Sequence, residues 1–397
     1  MNLEILFDKY QKISKLQHYS YKRYFYEKID FNEKMIGIIG ARGTGKTTAT
    51  LQYLENLSLP FEKKLYFSAD SISMSNTTLY EIADEFSKSG GKVLAIDEIH
   101  KYKNYEIELK EMYDFLDLQV IFSGSSAMQL EHKKADLSRR AVLHRVQGLS
   151  FREFLELKLG RSFKSFELYE ILTNHISIAN EMTKDFKPFE YFKEYLNYGY
   201  YPYYFENQNS YSLKLEETIN AVIEIDLPII FNIEPQYIQK LKQLTALICG
   251  SKPYELNITE LAGRIGINRT TLYSYIEYLT LGNVFYALKA KSKSDTVFSK
   301  PSKLYLNNTN LSANYCGVNN IGTTRELFFA MHLRTNHKLH YPLKGDFIID
   351  DKYLFEIGGK DKSFSQIKDI ENSFVIADDI EVGYKNKIPL WLMGLLY

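Results

Sequence analysis

Residues 35–50 read MIGIIGARGTGKTTAT, and residues 40–47 within them match the pattern G-x-x-x-x-G-K-[ST] at every specified position. The apolar run before Gly40 predicts a buried strand, and the spacing after Thr47 predicts a helix. In this strand–loop–helix order, backbone N–H groups and the helix N-terminus surround a phosphate chain. The stretch therefore predicts a phosphate-binding loop, the P-loop, within a parallel α/β sheet.

The P-loop pattern assigns a role to each of its residues. The glycines let the backbone turn tightly, so that amide groups point at the phosphates. Lys46 is expected to reach the β and γ phosphates, and the Thr47 hydroxyl to hold Mg²⁺. The implied ligands are ATP and Mg²⁺. The predicted ATP-binding residues are Gly40, Ala41, Arg42, Gly43, Thr44, Gly45, Lys46, Thr47 and Thr48.

Further strands are predicted after the P-loop. Residues 92–100 read KVLAIDEIH, an apolar strand that ends in Asp97 and Glu98. Asp97 is expected to hold Mg²⁺ through water, and Glu98 to polarise the attacking water, which favours hydrolysis over binding alone. Ser123 ends a third strand, where it either senses the γ-phosphate or belongs to a plain turn. Residues 64–68, KLYFS, read as one more strand of a doubly wound sheet.

Composition limits the classes of protein that fit. With 397 residues, 45% hydrophobic and 25% charged, the chain is long enough for two to four domains. No apolar run reaches the ~18 residues of a membrane helix, and the N-terminus is not a signal peptide, so we expect a cytoplasmic protein without a membrane partner. The formal net charge is zero, so DNA contact would need a local patch. Cys249 and Cys316 are expected to be ordinary reduced cysteines.

Three later stretches carry a resemblance to a known family. They read AIDEIHKYKNYEIELKEMYD (95–114), VIFSGSSAMQL (120–130) and LSRRAVLHRVQGLSFREFLEL (137–157). In this order they resemble the prokaryotic AAA+-type ATPases that have a C-terminal domain of uncharacterised function. The resemblance implies a P-loop domain (1–148), a helical lid (149–250), a winged helix (251–300) and a C-terminal domain (301–397).

The same resemblance suggests arginines for the site. Arg140 matches a family arginine that could neutralise γ-phosphate charge in cis or from a neighbouring subunit; the alternative is a surface salt bridge. Arg139 stands where the family usually has glycine, and either arginine could act in trans. Arg23 is a weaker candidate for a position near the base or ribose.

Residues 257–282 have the pattern of a helix-turn-helix. Asn257 and Asn268 can cap the two helices, and Leu272, Ile276 and Leu279 form the buried stripe of the second. A strand follows, with Lys289, Lys291 and Lys293 at the predicted wing tip. The winged helix would contact duplex DNA or, alternatively, a protein partner or another copy of the chain. The candidate DNA contacts are Arg269, Thr270, Ser274 and Lys291.

The last hundred residues resemble the PD-(D/E)XK nuclease core. Asp346 and Glu356 match the metal-binding acids, and Glu326 is a possible helical partner. The family's lysine position holds Gly358, and the nearest lysine is Lys360, which would need local bending to substitute. An active nuclease, a degenerate nucleic-acid- or protein-binding fold, and a misread pattern all stay open.

Three functions follow from these patterns. The first is an ATPase switch, in which hydrolysis changes the conformation of the chain and the appended domains convey that state to a partner, for which DNA is the favoured candidate. The second is a metal-dependent nuclease gated by ATP. The third is a protein-interaction module that binds ATP with negligible turnover. The predicted fold class is α/β: a P-loop parallel sheet with a helical lid, a winged helix and a small nuclease-like α/β domain.

Overall fold

The computed structural model describes residues 3–16, 21–72, 77–124, 137, 139–184, 186–249, 257–291, 301–317 and 320–397. The chain divides into two compact units, Met1–Gly148 and Leu149–Tyr397. The division falls after residue 148, where the sequence analysis ends the first domain. Among the helices described, none is long and apolar enough to cross a membrane.

The N-terminal unit is built on a parallel sheet of five strands in the order β2-β3-β4-β1-β5. Every residue of β1 and β3 is buried, as expected for a parallel sheet covered on both faces. This confirms the predicted P-loop sheet. Its strands are β1 (Met35–Gly40), β2 (Lys64–Ser68), β3 (Val93–Asp97), β4 (Gln119–Gly124) and β5 (Val142–Val146), and its helices are α1 (Leu3–Leu16), α2 (Lys46–Asn56), α3 (Leu79–Lys88) and α4 (Tyr105–Phe115).

The C-terminal unit contains helices, a five-stranded sheet in the order β12-β11-β10-β9-β8, and a two-stranded sheet of β6 and β7. Its helices are α5 (Phe151–Leu159), α6 (Leu168–Met182), α7 (Pro188–Tyr198), α8 (Tyr211–Ala221), α9 (Leu227–Phe231), α10 (Pro235–Cys249), α11 (Ile258–Ile265), α12 (Arg269–Leu281), α13 (Thr309–Tyr315) and α14 (Ile321–Leu333). Its strands are β6 (Phe285–Leu288), β7 (Lys303–Leu306), β8 (Leu339–His340), β9 (Phe347–Ile349), β10 (Tyr353–Gly358), β11 (Ser373–Ala377) and β12 (Lys387–Pro389).

Residues 149–250, predicted as a lid, share a core with the C-terminal part of the chain. The Ser150 hydroxyl donates to the Tyr397 carbonyl at 2.5 Å, and the rings of Phe192 and Phe328 lie 4.8 Å apart. The Phe151 N–H donates to Nε2 of His332 at 3.2 Å. Burial lowers the pKa of His332 to about 4, so its ring is a neutral acceptor. These helices are therefore structural elements of the C-terminal unit.

The helix-turn-helix pattern corresponds to α11 and α12. Asn257 and Asn268 accept hydrogen bonds from the backbone N–H groups of Glu260 and Thr271, as their capping roles predict. Gly266 ends α11 with φ of 71°, a conformation that favours glycine. The strand after α12, β6, pairs antiparallel with β7. The predicted boundary at residue 300 therefore falls between two paired strands.

The expectation of two reduced cysteines was wrong, because Cys249 and Cys316 form a disulfide. Cys249 ends α10 and Cys316 follows α13, and their Cα atoms lie 4.9 Å apart. Their separation of 67 residues in sequence hid this proximity, which only the packing of the helices creates.

Reduction of this disulfide should destabilise the C-terminal unit. Closing a loop of this length restricts the unfolded chain, an effect of about 2–4 kcal/mol. Urea unfolding followed by Trp391, the single and fully buried tryptophan, should therefore shift to lower urea in dithiothreitol. The Cys249→Ser/Cys316→Ser double variant is the control, because dithiothreitol should not shift its unfolding curve. A non-reduced protein with two titratable thiols in urea would contradict the bond.

Candidate functional site

The P-loop connects β1 to α2 through two residues in the left-handed region. Gly43 has φ of 75°, and Gly45, which caps α2, has φ of 91°, so both positions favour glycine. Gly40 is needed for a different reason. A Cβ atom at this position would lie 2.3 Å from the Val146 carbonyl oxygen, so glycine lets β1 approach the end of β5.

Lys46 lies across the P-loop. Its buried ammonium donates to the carbonyls of Gly40 at 3.1 Å and Ala41 at 2.7 Å. The Thr44 hydroxyl also donates to the Ala41 carbonyl, at 2.9 Å. The Lys46 ammonium is thus held against the backbone of the P-loop. Its positive charge lies where the loop would bind a phosphate chain.

The Asp97 carboxylate accepts hydrogen bonds from four residues. It accepts from the hydroxyl of Thr47 at 2.7 Å, from the hydroxyl of Tyr66 at 2.7 Å, from the hydroxyl of Ser123, and from the Glu98 N–H at 3.0 Å. Burial and the neighbouring Asp97 carboxylate raise the pKa of Tyr66, which keeps the phenol protonated as a donor. The predicted residues Thr47, Asp97 and Ser123 are therefore brought together, and Tyr66 is a member that the sequence analysis missed.

The donor chemistry at Thr47 and Asp97 fits a magnesium ion. A hydroxyl and a carboxylate supply hard oxygen atoms, which Mg²⁺ prefers, and Mg²⁺ commonly keeps several waters beside one or two protein ligands. Thr47 is the second residue of α2 and directly follows the lysine of the P-loop, so an ion at its hydroxyl would also reach a phosphate held in the loop. These two residues would hold the metal.

Glu98 occupies a strained position beside Asp97. Its φ of 51° is a left-handed conformation that non-glycine residues rarely adopt. Its Oε2 atom is buried without a hydrogen-bond partner, yet three basic groups approach it: Nε2 of His100 at 3.7 Å, Nζ of Lys101 at 3.8 Å and Nη2 of Arg42 at 4.0 Å. A carboxylate directed by strained backbone into a basic environment is suited to orient a water molecule.

Arg23 braces the P-loop. Its guanidinium donates to the carbonyls of Thr44 at 2.6 Å, Gln147 at 3.1 Å and Gly148 at 2.8 Å. The predicted contact with a base or ribose stays a prediction, since these three bonds are to backbone carbonyls of the same unit.

Arg140 lies away from the P-loop in its own chain. Its guanidinium forms a two-pronged pair with Asp114, with both N–O distances at 2.9 Å. Gly40 pairs with Val146, whereas Val142 pairs with Ile36 near the start of β1. Arg140 precedes Val142, so it lies about 20 Å from the P-loop along the strands. The structure therefore shows the salt-bridge alternative for Arg140. A contact of Arg140 or of the exposed Arg139 with the γ-phosphate stays a prediction.

The candidate DNA contacts lie at the start of α12 and after β6. Arg269 and Thr270 are exposed, while the Ser274 hydroxyl donates to the Thr270 carbonyl at 3.3 Å. Lys291 forms an exposed ion pair with Asp351 at 2.9 Å, so part of its charge is already compensated. Lys289 is exposed as well, and Lys293 lies outside the described residues.

The nuclease-like residues form a group that we call the acid–lysine cluster: Glu326, Asp346, Glu356, Lys303 and Lys362. Lys303 bridges Glu326 at 2.8 Å and Asp346 at 3.1 Å. Lys362 pairs with Glu356 at 2.5 Å. Burial raises the pKa of Glu326 more than Lys303 lowers it, as expected of a poorly solvated carboxyl group. Within the described residues, no group of acids, histidines or cysteines has the geometry of a metal site.

The proposed substitution by Lys360 was wrong. Lys360 is exposed after the end of β10, whereas the side chain of Lys362 folds back over Gly358. A Cβ atom at Gly358 would lie 2.7 Å from Lys362, which shows that Lys362 fills the space above that glycine. The chain turns back after β10. The sequence analysis placed Lys360 by counting residues along an extended strand, and such a count does not reveal the turn.

Comparison with known proteins gives a family match for most of the N-terminal unit. A family model described as an AAA domain matches residues 32–155, which contain all five strands of the parallel sheet. The P-loop, Asp97 and Glu98 all lie within the residues that match this model.

The rest of the chain has less informative relatives. A model of a domain of unknown function, DUF8612, matches residues 189–321 and so spans the predicted boundaries at 250 and 300. An uncharacterized protein of Methanocaldococcus jannaschii is 25% identical over 315 residues, which cover 76% of this chain and 66% of that protein. The chain thus corresponds to slightly less than two thirds of this relative.

Two solved structures are distant matches. AMPPCP-bound DnaA from Aquifex aeolicus is 15% identical with a TM-score of 0.26, over 68% of this chain and 86% of that one. The Hsp104–ADP complex of S. cerevisiae is 16% identical with a TM-score of 0.29, over 69% of this chain and 38% of that one. TM-scores this low do not establish a shared arrangement.

Proposed function

We propose that the chain is a Mg²⁺-dependent ATPase. The observation that carries this proposal is the convergence of Thr47, Asp97, Ser123 and Glu98 beside the P-loop of the AAA domain. A site for nucleotide binding alone would not need a second acid. Glu98, set beside Asp97 in a strained conformation, is the residue that favours hydrolysis.

Each residue has one task in this reaction. The P-loop amides and Lys46 bind the β and γ phosphates, and Lys46 neutralises charge that develops on them. Thr47 and Asp97 hold Mg²⁺, which when bound neutralises the phosphate oxygens. Glu98 orients a water for in-line attack on the γ-phosphate and accepts its proton. Ser123 is placed to respond to the γ-phosphate through its bond to Asp97.

We further propose that hydrolysis drives a conformational switch coupled to DNA. Residues 257–306 have the elements of a winged helix, with two capped helices and a two-stranded sheet. Arg269 and Thr270 are exposed at the start of the second helix, where such folds contact the major groove. The other candidates are a protein partner and a second copy of the chain.

The nuclease alternative is less well supported. Residues 301–397 carry acidic residues on α14 (Glu326), on β10 (Glu356) and directly before β9 (Asp346). These positions accord with a PD-(D/E)XK-like origin. However, Lys303 and Lys362 hold these acids in ion pairs, where a nuclease would need oxygen atoms around a metal. We infer a degenerate fold without cleavage activity.

The test is phosphate release by wild type and Lys46→Ala, each with and without duplex DNA. Wild type should turn over only with Mg²⁺, and Lys46→Ala should lose turnover together with ATP binding. DNA should raise the wild-type rate, and Arg269→Ala should weaken this stimulation in a salt-dependent manner. If duplex DNA does not change the rate of turnover, the proposed coupling to DNA is wrong and a protein partner becomes the candidate. Absence of Mg²⁺-dependent turnover in wild type would refute the ATPase.

A further inference from the structure

Tyr66 differs from the other three donors to Asp97 because it has no other task in the proposed reaction. Thr47 would bind Mg²⁺, Ser123 is placed to respond to the γ-phosphate, and the Glu98 N–H belongs to the proposed base. The Tyr66 phenol comes from the neighbouring strand β2 and donates to Oδ2 of Asp97 at 2.7 Å. This contact can therefore persist while nucleotide binds and leaves.

The ring of Tyr66 is fixed by the core of the N-terminal unit. Tyr66 is only 5% exposed, and its ring centroid lies 6.3 Å from that of Tyr10 on α1. Tyr10 is itself buried and stacks on Phe61, with their ring centroids 4.9 Å apart. A side chain packed between a strand and a helix resists displacement, because protein cores are densely packed. The fold therefore sets the position from which the Tyr66 hydroxyl reaches Asp97.

The two oxygen atoms of the Asp97 carboxylate are held by different partners. Oδ1 accepts from Ser123 and from the Glu98 N–H at 3.0 Å. Oδ2 accepts from Thr47 and from Tyr66, both at 2.7 Å. Because Thr47 is itself a proposed ligand of the metal, Tyr66 is the donor that fixes Oδ2 independently of the metal.

The position of Oδ2 decides how Thr47 presents its hydroxyl. A hydroxyl has one hydrogen and two lone pairs. While the hydrogen of Thr47 points at Oδ2, the lone pairs point elsewhere and are available to a cation. If Asp97 rotated about its Cβ–Cγ bond, this acceptor would move and the Thr47 hydroxyl would lose its fixed direction. Loss of a group that orients a metal ligand typically lowers metal affinity about 10–100-fold.

We propose that Tyr66 is a positioning residue for Mg²⁺, acting through Asp97 and Thr47. This inference rests on the proposed Mg²⁺-dependent ATPase function. Tyr66 touches neither the P-loop lysine nor the phosphates in this scheme, so its hydroxyl contributes to the affinity for the metal and not to the affinity for the nucleotide alone. Phenylalanine at this position would leave Oδ2 with one donor, in a place too buried for bulk water to supply a second.

Calorimetry of ADP binding, in EDTA and then over a series of Mg²⁺ concentrations, separates the two affinities without turnover. Tyr66→Phe keeps the ring in the core and removes only the hydroxyl. It should bind ADP in EDTA as tightly as wild type does. The Mg²⁺ concentration that gives half of the gain in ADP affinity should rise about 10–100-fold. Electron paramagnetic resonance of Mn²⁺ added to the ADP complex should show the same loss of bound metal.

Tyr53→Phe is the matched control. Tyr53 is another buried tyrosine of the N-terminal unit, and its hydroxyl donates to the Gln119 side chain at 2.7 Å. Gln119 begins β4, whereas Asp97 ends the parallel strand β3, so this bond lies at the opposite end of the sheet from the P-loop. Its removal should leave the Mg²⁺ dependence of ADP binding unchanged.

The possible results separate this inference from the ATPase proposal. An unchanged Mg²⁺ requirement in Tyr66→Phe would overturn the inference. A lower requirement would also overturn it, because the phenol would then compete with metal-bound water for Asp97. Weaker ADP binding in EDTA, by the same factor as in Mg²⁺, would make Tyr66 a support of the fold and overturn it too. These three results leave the ATPase standing, whereas a wild-type protein whose ADP affinity ignores Mg²⁺ would overturn both.

Discussion

Replacing Lys303 with methionine should lower the free energy of unfolding of the C-terminal unit by about 3–5 kcal/mol. Lys303 is nearly buried and is the shared partner of Glu326 and Asp346. Methionine would fill a similar volume but leave two poorly solvated carboxylates facing each other without a cation. Removing one partner of a buried pair costs more than the pair contributes, because the remaining charge stays desolvated.

Urea unfolding followed by Trp391 measures this effect directly. Trp391 is buried in the C-terminal unit and is the single tryptophan of the chain, so its signal reports on that unit. The matched control is Lys291→Met, which breaks an exposed pair with Asp351 and should leave the free energy of unfolding nearly unchanged. Equal, small losses in the two variants would show that the acid–lysine cluster is well hydrated.

The same pair predicts a dependence on pH. Burial alone would lower the pKa of Lys303, but the carboxylates of Glu326 and Asp346 outweigh it and raise the pKa above the ordinary 10.5. A raised pKa in the folded state gives stability that is complete below about pH 10.5 and is lost as pH rises through the folded pKa. The difference between wild type and Lys303→Met should therefore be constant near neutrality and shrink in alkali.

Glu98→Gln should lower the rate of ATP hydrolysis by about 10²–10⁴-fold while leaving ATP bound. Glutamine has the shape of glutamate but cannot accept the proton of the attacking water. It also removes the negative charge that Arg42, His100 and Lys101 approach. Binding should persist because the P-loop, Thr47 and Asp97 are unchanged.

Single-turnover hydrolysis and a separate binding measurement distinguish these two effects. Glu62→Gln, an exposed substitution in the same unit, is the control and should hydrolyse at the wild-type rate. If Glu98→Gln and wild type show the same slow rate, the site has no catalytic base and the chain is a nucleotide-binding interaction module. If Glu98→Gln loses ATP binding as well, Glu98 supports the loop and its role as base is wrong.

The features that could be predicted from the sequence are the local ones. The P-loop strand and helix, and the caps at Asn257 and Asn268, depend on residues within a few positions of each other. Asp97 was predictable because an apolar strand that ends in acidic residues, in a chain that also has a P-loop, indicates the strand that carries the carboxylate for Mg²⁺. The buried stripe of Leu272, Ile276 and Leu279 follows from helical periodicity alone.

The features that were missed depend on packing between distant segments. Tyr66 reaches Asp97 because β2 lies beside β3, which no spacing along the chain reveals. Arg140 precedes the N-terminal end of β5, whereas the P-loop follows the C-terminal end of the neighbouring strand β1, and this separation follows from the register of the two strands. Lys362 reaches Glu356 because the chain turns back after Gly358. Each error therefore came from treating a tertiary relation as a local one.

The brace formed by Arg23 has a mechanical consequence. One rigid, planar guanidinium is bonded at once to Thr44 in the P-loop and to Gln147 and Gly148, the last residues before the chain enters the C-terminal unit. The Thr44 carbonyl cannot be displaced without stretching bonds that also secure this exit. A ligand that shifted Thr44 would therefore act, through a single side chain, on the last two residues of the N-terminal unit.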